Sequence, residues 1–287
     1  MTDKQDQREQ AGGVPAPGVY RDVPASIYHG WDALNQSSIK DILASPADYH
    51  HRQQQPRVQS DPMALGEAVH TLILEPARES EILVCETKTR RGKAFEALRD
   101  DNPGACIVTL AQMDTARRMR DAVMADSGAV AMLEGDREMS MVWDMDGVRC
   151  KARADVVRDR AVVDLKTARD VSPATFQRDA FRRWLYNVQA AWYRIAKIEA
   201  MGGPTPGFFL VCVQSTAPHH VKLYDIGERA MQVGEALCNR ALKTYRDCTA
   251  AGRWPGFDSS LQLLDMNDWL AEEQTRQADE EIIINDF

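Results

Sequence analysis

Paired cysteines are missing from this sequence. Its six cysteines stand at 85, 106, 150, 212, 238 and 248, and no two form a C-x-x-C unit. That spacing argues against a zinc ribbon and leaves ordinary buried thiols as the reading. No apolar run approaches the roughly 20 residues that a membrane-spanning helix needs. The opening MTDKQDQREQAGG lacks the apolar stretch of a secretory signal and the Arg-rich, acid-poor make-up of a transit peptide, so a cytoplasmic location is expected. No internal repeat is visible. An excess of basic charge is also missing: the net charge is -8. Its distribution matters more than its sum. Residues 258–287 hold nine acids and one base, so residues 1–257 are neutral. Within that neutral body, residues 149–169 carry seven bases against three acids, and Lys88, Arg90, Arg91 and Lys93 form a second basic run. Local stripes of this kind are what a phosphate backbone responds to.

The chain divides into a Gln, Gly and Pro-rich start (1–18) expected to be disordered, a folded body (19–257) and an acidic tail (258–287). Residues 35–43 read as a helix capped by Asn35 or Ser37, and Ser45-Pro46 stops it and starts a second short helix. Residues 50–60 read as a loop. Residues 63–74 read as a third helix, with Leu65, Val69, Leu72 and Ile73 on its buried stripe and Glu67 and His70 sharing another face. A strand is expected over 81–87, a loop over 88–93 and one helix over 111–132. Further on, 173–201 reads as one long helix closed by Gly202-Gly203-Pro204, 207–214 and 221–226 as strands, and 228–250 as a helix. The fold class is therefore α/β, with a central mixed β-sheet flanked by helices on both faces.

The chemistry-bearing stretch is a meander. A strand from Met139 turns at Asp146-Gly147 into residues 148–157, which pair through a short polar link with residues 161–167. Side chains alternate faces along a strand, so Asp164 and Lys166 point the same way, and Asp155 lies on the neighbouring strand. Two carboxylates beside a lysine suit a divalent metal with oxygen ligands, of the Mg²⁺ type. A surface ion pair would use the same residues, so the surroundings have to decide.

Those surroundings carry a resemblance. Asp155, Asp164-x-Lys166 and Gln189-x-x-x-Tyr193, preceded by Gly66-x-x-x-His70, resemble the PD-(D/E)xK nucleases. They resemble in particular the RecE-type exonucleases (exodeoxyribonuclease VIII) and the RecB-like nuclease domains. Leu34-Asn35-Gln36-Ser37-Ser38-Ile39 with Ser45-Pro46-x-x-Tyr49 is similar to the opening helix pair of that group, and the likeness runs from about residue 35 to 250. D-x-K alone is common; the ordered set is far more specific. The resemblance implies that Asp155, Asp164, the Leu165 carbonyl and His70 hold Mg²⁺, with Mn²⁺ substituting. It implies that Lys166 positions or activates the attacking water, and that Gln189 and Tyr193 orient the lysine or contact the scissile strand. Glu67 is an additional acid in reach. Ser37 and Ser38, the Lys88, Arg90, Arg91 and Lys93 loop, and Arg149, Lys151 and Arg153 are the phosphate-contact candidates. An iron–sulfur cluster is not expected, because the cysteines that branch of the fold requires are absent.

What the resemblance implies functionally is 5′-to-3′ digestion of linear double-stranded DNA by a ring-shaped homo-oligomer, the exposed strand passing to a single-strand annealing protein. Two other readings keep the fold: an endonuclease or single-strand nuclease, and a non-catalytic DNA-binding recombination accessory. The presence of both acids and the lysine weighs against the last. The end of the tail, 278–287, is acidic around an apolar trio and is expected to be disordered or to bind a partner.

Overall fold

A computed structural model describes residues 13–55, 59–266 and 268–284, with side chains given through 276. In chain order the elements are β1 (Gly18–Tyr20), α1 (Ala25–Gly30), α2 (Gln36–Ala44), α3 (Pro46–Gln53), α4 (Asp61–Leu74), a 3₁₀ turn (Pro76–Glu81), β2 (Leu83–Cys85), α5 (Lys93–Asp101), β3 (Ile107–Thr109), α6 (Leu110–Ala125), α7 (Ser127–Met132), β4 (Asp136–Met145), β5 (Val148–Arg158), β6 (Ala161–Ala168), α8 (Pro173–Arg182), α9 (Tyr186–Met201), β7 (Gly207–Gln214), β8 (Val221–Asp225), α10 (Glu228–Ala251) and α11 (Asp268–Ile284). Six strands form one sheet in the order β1-β4-β5-β6-β7-β8, antiparallel except between β6 and β7, and β2 pairs with β3 in a small parallel sheet. This is the mixed α/β arrangement expected, with the large sheet mostly antiparallel.

Alternation along the strands builds a core on each face. Val162, Phe208, Leu210 and Cys212 pack with α2, α3, α8, α9 and α10; Val163, Leu165, Val211 and Val213 pack with α4, α6 and α7. Trp143 and Trp192, both fully buried, meet at a centroid distance of 5.0 Å and tie α9 to β4. Local chemistry fixes the element ends. The Asn35 side chain accepts from the amides of Ser37 and Ser38, Ser45 caps α3 with Pro46 in its first turn, and Thr109 and Gln112 form a capping box on α6. Asp146 and Gly147 both take positive φ, the turn that matches the twist of a two-residue hairpin.

Several boundaries differ from the sequence reading. The expected single helix over 173–201 is two, because Leu185 adopts a left-handed conformation (φ 47°) between α8 and α9, and Trp184 is exposed. Residues 111–132 also break, at Asp126, whose carboxylate caps α7. The 50–60 loop begins only after Gln53. Helix α5 and strand β3 have no counterpart among the elements expected from sequence. The disorder expected over 1–18 does not extend to its last residues: Val14 packs beside Tyr28 and Trp31, and β1 starts at Gly18. Residues 1–12 lie outside the described residues.

The chain separates into two compact units, Met1–Pro255 and Gly256–Phe287. Trp254, in the first, packs on Tyr49 and Tyr245 and stacks on His50. The second carries α11, whose residues 278–284 fall in the segment expected to be disordered, and Phe257, Leu261, Leu263, Leu264 and Trp269 are exposed there. The partner-binding expectation for 278–287 falls on side chains outside the described residues. No helix among the described residues is long and apolar enough to cross a membrane. All six cysteines are buried and unpaired.

Candidate active site

The sheet opens where the carboxylates lie. Strand β5 pairs with β6 only through Val156–Val163, Val157–Val162 and Arg158–Ala161, and the ladder stops one residue before Asp155 would face Asp164. On its other edge the β4 register passes over the same level, leaving Glu138 and Asp155 unpaired between Met139–Ala154 and Arg137–Val156. Glu138 has φ 51°, a conformation costing a non-glycine residue about 1–3 kcal/mol. Released from both neighbours, Asp155 turns its side chain into the gap. Its Oδ2 accepts the Leu165 amide at 2.7 Å, replacing the lost ladder partner of β6.

Asp164 and Lys166 project toward α9, as the alternation requires. Asp164 is 2 % exposed. Gln189 Nε2 donates to its Oδ1 at 2.7 Å, and Lys166 Nζ lies 2.5 Å from its Oδ2 as an ion pair. Tyr193, one turn beyond Gln189, is buried against Phe208 at 5.9 Å between centroids. Gly66 lets α4 lie close to β6: a Cβ there would be 3.2 Å from Thr167 Oγ1. That approach brings His70, one turn on, to Asp155, with Nδ1 3.6 Å from Oδ2.

The electrostatics follow from burial and crowding. Burial, then the charge of Asp164, raises the Asp155 carboxyl well above the ordinary carboxylate range. Burial and the neighbouring Asp155 push Glu138 up to about 7, against the pull of Arg153. For Lys166 burial acts downward, but the Asp164 charge, helped by Tyr186 and Asp155, outweighs it and holds the ammonium protonated. Burial lowers His70, favouring the neutral imidazole that a metal ligand must be.

His70, Glu138 and Asp155 offer ligand atoms all within 4.8 Å of one another. One imidazole and two carboxylates, crowded enough to repel each other's charge, form a donor set suited to a divalent cation of the Mg²⁺ or Mn²⁺ kind. Asp164 and the Leu165 main chain border the same gap. Sequence reasoning missed Glu138. Its neighbours in sequence, Asp136, Arg137, Met139 and Ser140, give no signal for it, because its place across from Asp155 depends on the β4–β5 register. Glu67, the acid it named instead, is exposed and accepts from Gln59, outside this group.

The phosphate-contact candidates divide sharply. Lys88, Arg91 and Lys93 are exposed. Arg90 is not available to solvent: it bonds Gln59 Oε1 and the Gln59 carbonyl, pairs with Asp61 and covers Phe95. Lys151 is 3 % exposed, and its Nζ donates to the carbonyls of Tyr28 (2.9 Å) and Trp31 (2.6 Å). Its strand position points it under α1, so it holds the chain's front segment on the sheet and does not face a ligand. Arg153 is held by Glu138 and the Val23 carbonyl, and Arg149 by Asp144 and the Pro15 carbonyl. The Ser37 and Ser38 amides, suggested as phosphate donors, are already taken by Asn35. Ser38 is buried and directs its hydroxyl to the same acceptor.

Comparison with known proteins gives the same fold. The profile of a family described as "PDDEXK-like domain of unknown function (DUF3799)" matches residues 35–263. The crystal structure of a protein from Eubacterium rectale provisionally named an exonuclease aligns with a TM-score of 0.58 at 15% identity, over 82% of this chain and 90% of that one. A second crystal structure, of SSO0001, aligns with a TM-score of 0.26 at 13% identity over 72% of this chain and 85% of that one, too low to carry an argument. No curated protein matches the sequence.

Proposed function

Because the chain belongs to the PDDEXK-like DUF3799 family, we propose that its site hydrolyses phosphodiester bonds at the ends of linear double-stranded DNA, in the 5′-to-3′ direction, with Mg²⁺ as cofactor. The observation that carries the reading is the opening between β5 and β6. There Asp155 and Asp164 are buried and Lys166 is half-buried. Asp155 is held by the Leu165 amide and faces His70, Asp164 is held by Gln189, and Lys166 pairs with Asp164 on its own strand. The provisional exonuclease name of the Eubacterium rectale protein supports action at ends.

A bound divalent cation would supply Lewis acidity at the phosphoryl oxygens and a water of lowered pKa. The residues of the chain do the remainder. His70, Glu138 and Asp155 would hold the cation, with Asp164 beside them as a further carboxylate. The Asp155–Leu165 bond fixes one carboxylate against the β6 main chain. Gln189 fixes Asp164 from the opposite layer, so its role is to orient the carboxylate and not the lysine. Lys166, kept as an ammonium, offers positive charge where negative charge grows on the phosphate. The reading extends to a cytoplasmic homo-oligomer that passes the remaining strand to a single-strand annealing protein.

The test is digestion of end-labelled linear duplex in Mg²⁺ beside covalently closed circles of the same sequence. Linear DNA should be consumed from its 5′ ends and circles left intact. Asp164→Asn and Lys166→Ala should each abolish the digestion. Cleavage of circles, or full activity in both variants, would sink the proposal.

A further inference from the structure

A second lysine stands beside the site and has no part in the chemistry described so far. Lys40, on α2, is half-buried, and its Nζ lies 5.6 Å from the centre of the Tyr186 ring. Lys166 Nζ lies 5.3 Å from the same ring. One aromatic side chain thus gathers two ammonium groups, one already at Asp164 and the other from a different layer of the fold. Among the described residues no carboxylate ion-pairs with Lys40. The acid next to it, Asp41, is taken by Arg52, and Asp164 is taken by Lys166 and Gln189.

A cation–π contact alone would explain an ordered lysine at an exposed site. It does not explain why a half-buried lysine without a carboxylate partner shares its ring with the lysine of the site. Burial and the charge of Lys166 lower Lys40 to about 7, so the protein by itself does not satisfy the charge. An anion arriving beside the ring would relieve both penalties. On the nuclease reading that anion is a phosphate of the DNA strand, which carries one at every step.

We propose that Lys40, steadied by the Tyr186 ring, is a subsite for the phosphodiester next to the scissile one, so that Lys166 serves the linkage under attack and Lys40 its neighbour. The proposal rests on the nuclease reading and assigns Lys40 a substrate contact distinct from the cation ligands. Tyr186 is a positioning residue, since its ring sets where the two ammonium groups stand.

Binding can be measured without turnover by fluorescence anisotropy of a labelled linear duplex in EDTA, over a range of roughly 50–200 mM salt. Lys40→Ala should weaken binding about tenfold and lower the salt slope by about one, and Lys40→Arg should retain most of both. In Mg²⁺, Lys40→Ala should raise KM more than it lowers kcat. Lys40→Met keeps the aliphatic stem and serves if the alanine variant folds poorly, with circular dichroism melts as the check. The decisive arm is a duplex with one uncharged methylphosphonate linkage moved stepwise past the cleavage point. At the neighbouring linkage the parent should fall to the affinity of Lys40→Met, and the variant should not respond. If the parent binds DNA and Lys40→Met matches it in affinity and slope, the subsite is overturned and the nuclease reading stands. The subsite is likewise overturned if every neutral linkage affects both proteins equally. If the parent binds no DNA at any salt, the nuclease reading falls and the subsite with it.

Discussion

Gly234 lies in the second turn of α10, buried against the first turn of α9. A methyl group added there would stand 2.1 Å from the Asn187 carbonyl oxygen, 2.7 Å from its carbon and 2.9 Å from the Ala191 Cβ. Two of those atoms are backbone, so no side-chain rotation relieves the clash, and Gly234→Ala forces the helices apart. Two effects oppose each other. Replacing glycine by alanine inside a helix stabilises by about 1 kcal/mol. Overpacking a tight core costs about 1–3 kcal/mol, with rigid backbone contacts at the upper end. The clash should win by about 2 kcal/mol, which lowers the melting temperature by about 4–8 °C at the usual sensitivity of chains of this size. Activity should suffer more than stability. Gln189 follows Asn187 by two residues and holds Asp164 at 2.7 Å. A misplacement of about 1 Å there can cost about 100-fold in rate. The assay is a thermal melt by circular dichroism together with digestion of linear duplex well below the transition. A variant melting within a degree of the parent at undiminished rate would refute the argument that this glycine sets the α9–α10 distance.

Lys151→Met should destabilise by about 2–3 kcal/mol, since it strips two buried carbonyls of their donor, while the salt dependence of DNA binding stays unchanged; a shallower salt slope would restore Lys151 as a phosphate contact. Mg²⁺ at about 100 times its dissociation constant should stabilise the parent by about 2.7 kcal/mol, and a thermal melt of Asp155→Asn should show little of that gain; an equal gain would place the cation elsewhere. Glu138 has a folded-state pKa raised to about 7 from 4.5, so its contribution to stability is present below about pH 4.5 and is lost as the pH rises through 7. In EDTA, Glu138→Gln should therefore flatten the fall in denaturant midpoint across that window, and an unaltered profile would show that Glu138 is not the group responsible.

The meander and the motif order were legible because β-branched alternation and helix spacing are local signals. Residues 139–167 and His70, Gln189 and Tyr193 fell on the element types expected of them. The break at Leu185 was not legible, since Trp184 and Leu185 continue the apolar spacing of a helix and only the tertiary fold forces a left-handed residue there. Lys151 misled for a related reason. A count of bases along a strand cannot tell a lysine facing solvent from one turned under α1 onto main-chain carbonyls. Glu138 is important through being strained and lying across from Asp155, and both properties depend on register. Lys40 belongs to the site only because Tyr186 brings α2 and β6 to one ring.

The bond from the Leu165 amide to Asp155 has a use beyond architecture. A carboxylate attracts that amide proton strongly, and any change in the electron density on Asp155 alters the attraction. In a nitrogen-labelled sample, the Leu165 amide resonance should move when a cation binds, when the pH changes or when substrate arrives, and its exchange with solvent should slow or quicken accordingly. The missing rung of the ladder thus leaves one backbone proton as an internal gauge of the charge at the centre, readable without any substitution.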